Sequence, residues 1–412
     1  MNNISFGHKI IVDCGASKKH NGSLKISVLS DETNKEIYKS NGVVCENGFK
    51  KDEDFLNGLA KGIADSYDKS KSKIEQLNPT DKELTGLVIY SPGPTINNFS
   101  PIMQNLLKVG TNQSLTNIDF KDMPPILESL MANKGINISN KFKVIATNDM
   151  IGAGTSIAKK LVQNPEFKEG YEITFMMAGG GLGVGQIEHM GDNVLIKTSE
   201  IGGINLFGTD ETPETHGACV RALIKNFSNN LLSNQDTEKL IKIGNAKIAT
   251  QYPIDADSKE AEALMKTGLF KNIGIDGTNQ LVFKNISEDA HKNASKEAIN
   301  KFIESISIIG ANKIAEGTNG IIVTGPLAKG IKASIEKNPE LFDNKNFNEL
   351  IKDKIDSLLD DSGKTMASLY NFKIITDIDV KNNTDGGNLI LQGNFVGKEK
   401  RGNWLSVPIS EI

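Results

Sequence analysis

The sequence predicts a two-lobed α/β protein with a cleft between the lobes, and three observations lead there. Its 412 residues exceed what one small core needs, so two lobes are the default expectation. Short β-branched runs alternate with stretches of helical apolar spacing, the pattern of strand–helix–strand units and largely parallel sheets. A strand running into a small-residue, glycine-containing turn occurs twice, near Asp13 and near Gly179. Two similar lobes, each presenting a glycine loop to a shared cleft, would account for both.

The elements follow in order. Residues 9–13 read as a buried strand ending in Asp13-Cys14-Gly15-Ala16-Ser17, and 24–29 as a second strand after the hairpin signal His20-Asn21-Gly22. A third strand is expected at 42–45. Residues 52–75 space Phe55, Leu59 and Ile63 as a helix does, and 84–90 form a strand that Ser91-Pro92-Gly93-Pro94 turns. A helix at 123–131, a buried strand at 142–146 and a helix at 150–161, after Asn148-Asp149, come next. A strand at 172–177 enters the glycine run, and a largely helical, polar stretch covers 208–314, with loops near Tyr252-Pro253 and Gly274. Strands are expected at 321–324, closed by Gly325-Pro326, and at 373–378, before a Gly/Asn-rich turn at 382–388. The first lobe is placed at 1–147, with about 385–412 packing back on it; the second spans 148–384, with a helical segment at about 206–300.

Composition narrows the function classes. A net charge of −4 and a pI of about 5.9 provide no positive field for nucleic acid or anionic lipid. The three cysteines, Cys14, Cys45 and Cys219, are far apart and odd in number, which fits a reducing compartment better than a disulfide framework. No stretch approaches the roughly 18 apolar residues that span a bilayer. The opening residues MNNISFGHKIIVDCG lack the basic region and apolar core of a signal peptide. A cytoplasmic protein without nucleic-acid or membrane partners is expected.

Five segments carry chemistry, each with a plain structural reading beside the functional one. The run Gly179-Gly180-Gly181-Leu182-Gly183 lets backbone N–H groups converge on phosphate oxygens, or simply makes a tight hairpin, since Ile187 resumes an apolar run. It has no following Lys as GxxxxGK[ST] requires, and it turns into a strand rather than a helix, against a dinucleotide fold. Asp13 at a strand end, with Ser17 close behind, suits Mg2+ beside phosphate, or an Asx-type turn. Asn148-Asp149 is a helix N-cap, or puts a carboxylate where it accepts a hydroxyl proton. Glu200, in Ser199-Glu200-Ile201-Gly202-Gly203, accepts two sugar hydroxyls or decorates a surface turn. The stretch 321–330, IIVTGPLAKG, lets a flat ring approach the backbone or is an ordinary strand–helix junction.

The order of these segments is more specific than any one of them. Asp13-x-Gly15-x-Ser17, Ser91-Pro92-Gly93-Pro94, Asn148-Asp149, Gly181-Leu182-Gly183-x-Gly185, Glu200-Ile201-Gly202 and Gly325 together resemble the ROK family of bacterial sugar kinases and sugar-responsive repressors. The chain is similar, more distantly, to bacterial glucokinases. The resemblance covers nearly the whole chain, apart from a poorly matching stretch at 206–280.

It implies an actin-like ATPase (ribonuclease H-like) fold and an ATP- and Mg2+-dependent kinase acting on a hexose hydroxyl. By the same resemblance, Asp13, Gly15 and Ser17 form the first phosphate loop, with Asp13 near the metal. Pro92, Gly93, Asn105 and Asn148 contact the sugar, Asp149 is the general base, and Glu200 holds the sugar. Gly179, Gly180, Gly181 and Gly183 form the second phosphate loop, and Gly325 lies against adenosine. A homodimer is implied by the resemblance alone.

The departures are specific. The first loop reads Gly15-Ala16-Ser17 where the family has Gly-Gly-Thr, Gly180 stands where Thr is usual, and Gly203 where the family has His. The cysteine-rich zinc motif is missing, so no structural zinc is expected. Three rivals follow. A sugar-sensing repressor would need a helix-turn-helix module, and only 12 residues precede Asp13. A pseudokinase or sugar-binding scaffold would fit the changes at Ala16, Gly180 and Gly203. Another actin-like ATPase would not need the Pro-Gly, Asn-Asp and Glu-Ile-Gly elements together.

Overall fold

The computed structural model describes residues 7–14, 23–30, 36–43, 52–77, 83–95, 97–103, 115–208, 210–266, 273–378, 380, 394–396 and 404–412. The chain divides into two compact units. One comprises Met1–Gly170, Ile187–Thr198 and Val380–Ile412, the other Tyr171–Gln186 and Ser199–Asp379.

In the first unit the elements run β1 (His8–Asp13), β2 (Ser23–Ser30), β3 (Glu36–Val43), α1 (Asp52–Leu77), β4 (Glu83–Ser91), β5 (Phe99–Met103), β6 (Leu115–Asp119), α2 (Met123–Ala132), β7 (Asn137–Asn148) and α3 (Asp149–Leu161). Five strands form one sheet in the order β3-β2-β1-β4-β7. The β1–β2 pair is antiparallel, as the Asn-Gly signal predicts, while β1–β4 and β4–β7 are parallel. Ile10, Ile11 and Val12 of β1, and Leu87 to Tyr90 of β4, are buried apolar runs, as central parallel strands require. Phe55, Leu59, Ile63 and Tyr67 of α1 join Leu127 and Met131 of α2 in the core of this unit.

Helix α3 is buried along most of its length, and its small residues make that feasible. A Cβ on Gly152 would lie 2.6 Å from Cζ of Tyr90 in β4, so only glycine lets the helix come this close. Two strands differ from expectation. The third begins at Glu36 rather than 42, because β2 pairs along its whole length, with Val28 opposite Tyr38. β7 starts at Asn137, its polar first half held by pairing with Glu83 and Leu84 rather than by an apolar pattern.

The second unit begins with β8 (Glu172–Ala178) and the first half of β9 (Leu182–Met190); the rest of β9 and most of β10 (Asn193–Ser199) belong to the first unit. There follow α4 (Val220–Ser228), α5 (Asn234–Ile243), α6 (Lys247–Thr250), β11 (Ile254–Asp255), α7 (Lys259–Lys266), β12 (Ile273–Ile275), β13 (Gln280–Phe283), α8 (Glu288–Ala315), β14 (Gly320–Thr324), α9 (Pro326–Lys337), α10 (Phe347–Leu358), α11 (Asp361–Leu369) and β15 (Lys373–Ile375). The strand order here is β15-β14-β8-β9, with β15, β14 and β8 parallel. In the first unit, β10 pairs antiparallel with β17 (Trp404–Pro408), which pairs with β16 (Asn394–Val396). The parallel character expected of the sheets therefore holds for their β1-β4-β7 and β8-β14-β15 portions only. The helical stretch expected at 208–314 is interrupted by a small antiparallel sheet, β11-β13-β12. Its strands are two to four residues long, too short to display an alternation. No helix among the described residues is long and apolar enough to cross a membrane.

The long helix α8 organises this unit. Ser287 caps it by accepting the Ala290 N–H, and Glu288 and Asp289 complement its N-terminal dipole. A one-turn π-helix, Glu214–Ala218, lies directly against it: a Cβ on Gly217 would stand 2.4 Å from the Lys301 carbonyl carbon. Near its start, His291 is enclosed by Tyr252, Phe227 and Phe283, at ring-centroid distances of 4.4, 4.9 and 5.9 Å. Burial pushes its imidazole down from 6.5 to about 4.

Two outcomes follow. Gly217→Ala must separate two backbones, so chemical denaturation should find the variant about 3 kcal/mol less stable. His291 is neutral in the fold and protonates in the unfolded chain, so it favours unfolding as pH falls from 6.5 towards 4. Relative to His291→Phe, the wild type should lose about 3 kcal/mol between pH 7 and pH 4. A gap that does not change with pH would show that His291 titrates normally.

Candidate functional site

In the first unit the carboxyl ends of three parallel strands bring four of the expected residues into one row. Asp13 ends β1 opposite Tyr90, and Ser91 at the end of β4 lies opposite Asn148 at the end of β7. In open α/β sheets the region beyond the carboxyl ends of strands is where ligands bind. The chain leaves β4 through Pro92 and Gly93, and Gly93 has φ +96°, a conformation that favours glycine.

Asn148 ties this turn to α3. Its side-chain oxygen accepts the Met150 N–H at 2.8 Å, the N-cap bond, while its amide donates to the Gly93 carbonyl at 2.7 Å. The capping reading of Asn148 thus holds, and the same side chain also fixes the Pro92-Gly93 turn. Asp149 is the first helical residue beyond the cap and is half-buried. The Cys14 thiol, next to Asp13 in the chain, is fully buried. It is pushed well above the usual thiol range by burial first, then by the charges of Asp13 and Asp149. Asp13 also faces Lys25 Nζ at 3.6 Å. Gly15, Ser17 and Asn105 lie outside the described residues.

Sequence reasoning missed Asn98. It adopts φ +66°, donates through its amide to the Val144 carbonyl at 3.0 Å and accepts the Ala146 N–H at 2.7 Å. β7 is the last strand of its sheet, so the Asn98 side chain occupies the open edge as a neighbouring strand would. Its backbone carbonyl accepts the Phe120 N–H at 2.8 Å. The only signal in the sequence was the pair Asn97-Asn98 after Pro94, a turn composition that does not name a partner.

In the second unit the glycine run is the turn of the β8–β9 hairpin. The Gly179 N–H donates to the Gly181 carbonyl at 2.9 Å, and Gly180 and Gly181 are exposed at the tip. Three segments close on it. The Val220 N–H, at the start of α4, donates to the Gly179 carbonyl at 3.0 Å. Gly325, with φ +99°, brings the end of β14 against Ala178: a Cβ there would lie 2.4 Å from the Ala178 carbonyl oxygen. A Cβ on Gly202 would meet the Leu182 carbonyl oxygen at 3.1 Å, which fixes the Glu200 turn beside the start of β9. Gly183 lies within β9. A Cβ on Gly203 would meet nothing within 4 Å.

Two carboxylates flank this glycine turn. Glu200 reaches solvent, yet the protein crowding it pushes its carboxyl above the usual range. Glu214, which the sequence did not single out, is half-buried. Burial pushes its carboxyl up, the Leu182 N–H counteracts that, and the charge of Glu200 adds to it. His216, two residues on, is gripped on both sides: Nδ1 meets Glu211 at 2.7 Å and Nε2 meets Glu304 at 3.0 Å, with Phe207 stacked on the ring at 4.2 Å. Among the described residues no three His, Cys, Asp or Glu side chains are grouped to hold a metal ion.

No protein family's sequence profile and no curated protein matches this chain. Among solved structures it is similar to glucokinase from Balamuthia mandrillaris in complex with glucose. That match has 11% identity, 93% of each chain covered and a TM-score of 0.53. It is also similar to a ROK family transcriptional regulator, a homolog of the E. coli MLC protein, at 12% identity, with 94% of this chain and 78% of that one covered and a TM-score of 0.50. At such identities the likeness establishes the fold. The chain has the actin-like ATPase fold, in the form found in glucokinases and ROK proteins.

Proposed function

We propose that the protein is an ATP-dependent sugar kinase in which Asp149 takes the proton of the attacking hydroxyl. The observation that supports this reading best is the row of Asp13, Pro92-Gly93 and Asn148 at three strand ends, with Asn148 tying the Gly93 turn to the helix that Asp149 opens. The sugar oxygen bonds to the γ-phosphorus as its proton passes to Asp149, the bond from that phosphorus to the β–γ bridging oxygen breaks, and ADP leaves. Such a reaction asks mainly for positioning and charge neutralisation. Pro92 and Gly93 line the sugar, Glu200 accepts its hydroxyls, and the second amide N–H of Asn148 donates to it. The turn Gly179 to Gly183 holds phosphate at its exposed tip, Gly180 and Gly181, and Gly325 lets adenosine lie against the backbone.

Asp13 suits Mg2+, which takes one or two carboxylates and completes its shell with phosphate and water oxygens. It is a half-buried oxygen donor at a strand end, and among the described residues no three His, Cys, Asp or Glu side chains close a cage there. When bound, the ion would neutralise phosphate charge. The fold shared with a glucose-bound glucokinase is compatible with this reading, and the regulator's share in that fold makes turnover the point to test.

The experiment is ADP release with ATP and Mg2+ across hexoses and N-acetylhexosamines, with a no-sugar control. Sugar-dependent release is expected, falling about 10²- to 10⁴-fold in Asp149→Asn with the fold intact. Sugar binding without release in the wild type would instead identify a non-catalytic sugar-binding protein. Asn98→Ala tests positioning. Freed from the edge of β7, the Pro92-Gly93 turn should raise the sugar KM about tenfold and change kcat less. Stability should fall by about 1–3 kcal/mol from the two lost hydrogen bonds. An unchanged KM would separate Asn98 from the sugar site.

A further inference from the structure

The glycine turn of the second unit already has a carboxylate against it. A Cβ on Gly181, at the exposed tip, would lie 3.1 Å from Oε1 of Glu214, and the Leu182 N–H favours the charged form of that carboxyl. A phosphate oxygen entering the turn would compete for the same place, because backbone N–H groups in a glycine turn form an anion-binding concavity.

Glu214 is not a loose surface side chain. It opens the π-helix whose Gly217 lies flush on α8, whose His216 is held by Glu211 and Glu304, and whose carbonyl at His216 accepts the Asn226 amide at 2.6 Å. Past the helix, the Val220 N–H bonds the Gly179 carbonyl of the turn itself. These contacts fix the backbone on the C-terminal side of Glu214, and its Oε1 stands against Gly181 of the turn.

We propose that Glu214 is a built-in stand-in for phosphate that sets the ligand selectivity of the glycine turn. A lone phosphate cannot displace it. The phosphate chain of a nucleoside di- or triphosphate can, because contacts made elsewhere along the ligand offset the loss of the internal bond. This rests on the reading of Gly179 to Gly183 as a phosphate loop. It adds that the loop rejects free phosphate and accepts phosphate only as part of a nucleotide. The nearby Glu200 works in the same direction, since two carboxylates beside the turn repel an anion that brings no further contacts.

The test is calorimetric titration with ADP and, separately, with inorganic phosphate, at constant Mg2+, on wild type, Glu214→Gln and Glu214→Ala. Both variants alter a half-buried surface position, and thermal melts identify any that fails to fold. Wild type is expected to bind ADP and to show no phosphate binding. Glu214→Ala should gain phosphate affinity by about tenfold or more and ADP affinity by less, with Glu214→Gln changing in the same direction. Equal phosphate behaviour in all three, with ADP bound by each, overturns the stand-in role and leaves the phosphate loop intact. Weaker ADP binding in Glu214→Ala overturns it by making Glu214 a ligand. Failure of every protein to bind ADP overturns the phosphate-loop reading itself, and the stand-in role with it.

Discussion

One buried amide, that of Asn148, makes the two hydrogen bonds on which the candidate site depends. One caps α3 and so fixes where Asp149 begins the helix. The other holds the Gly93 carbonyl and so fixes the turn that follows β4. Removing either partner would leave a buried polar group unsatisfied, a loss larger than the net contribution of the bond itself. The positions of Asp149, Pro92 and Gly93 are therefore one structural fact. Asn98 extends it by sealing the open edge of β7 two and four residues upstream of Asn148.

The second unit works by close backbone approach instead. At Gly325 against Ala178 and Gly217 against Lys301 any side chain would collide with main chain, and at Gly202 against Leu182 it would make a tight contact. Together these approaches draw the end of β14, the Glu200 turn and the π-helix around the β8–β9 glycine turn. Partial burial beside this turn raises the carboxyls of Glu200 and Glu214. Glycine here provides proximity.

Much of this was legible in the sequence, because it rests on local signals. The antiparallel β1–β2 pair, the Pro-Gly turn, the Asn148 cap and the glycine hairpin each follow from signals local in the chain, although Asn21-Gly22 themselves lie outside the described residues. What was not legible depends on pairs far apart. The Ser91–Asn148 register sets Asn148 beside a turn 55 residues away, and His216 meets Glu304 across 88 residues. Glu214 carried no motif, and its importance comes only from a π-helix that Gly217 allows to lie on α8. The β11-β13-β12 sheet escaped notice because strands of two to four residues have no measurable period.

The central claim is that the Pro92-Gly93 turn and the start of α3 form one sugar-binding element held by Asn148. Hydrogen–deuterium exchange followed by mass spectrometry, with and without the sugar that most raises the thermal midpoint, tests this most directly. The account predicts that sugar slows exchange together at 91–95, 97–100 and 146–152, through one common element. Protection confined to other segments, or a sugar that raises the thermal midpoint without protecting this junction, would contradict it.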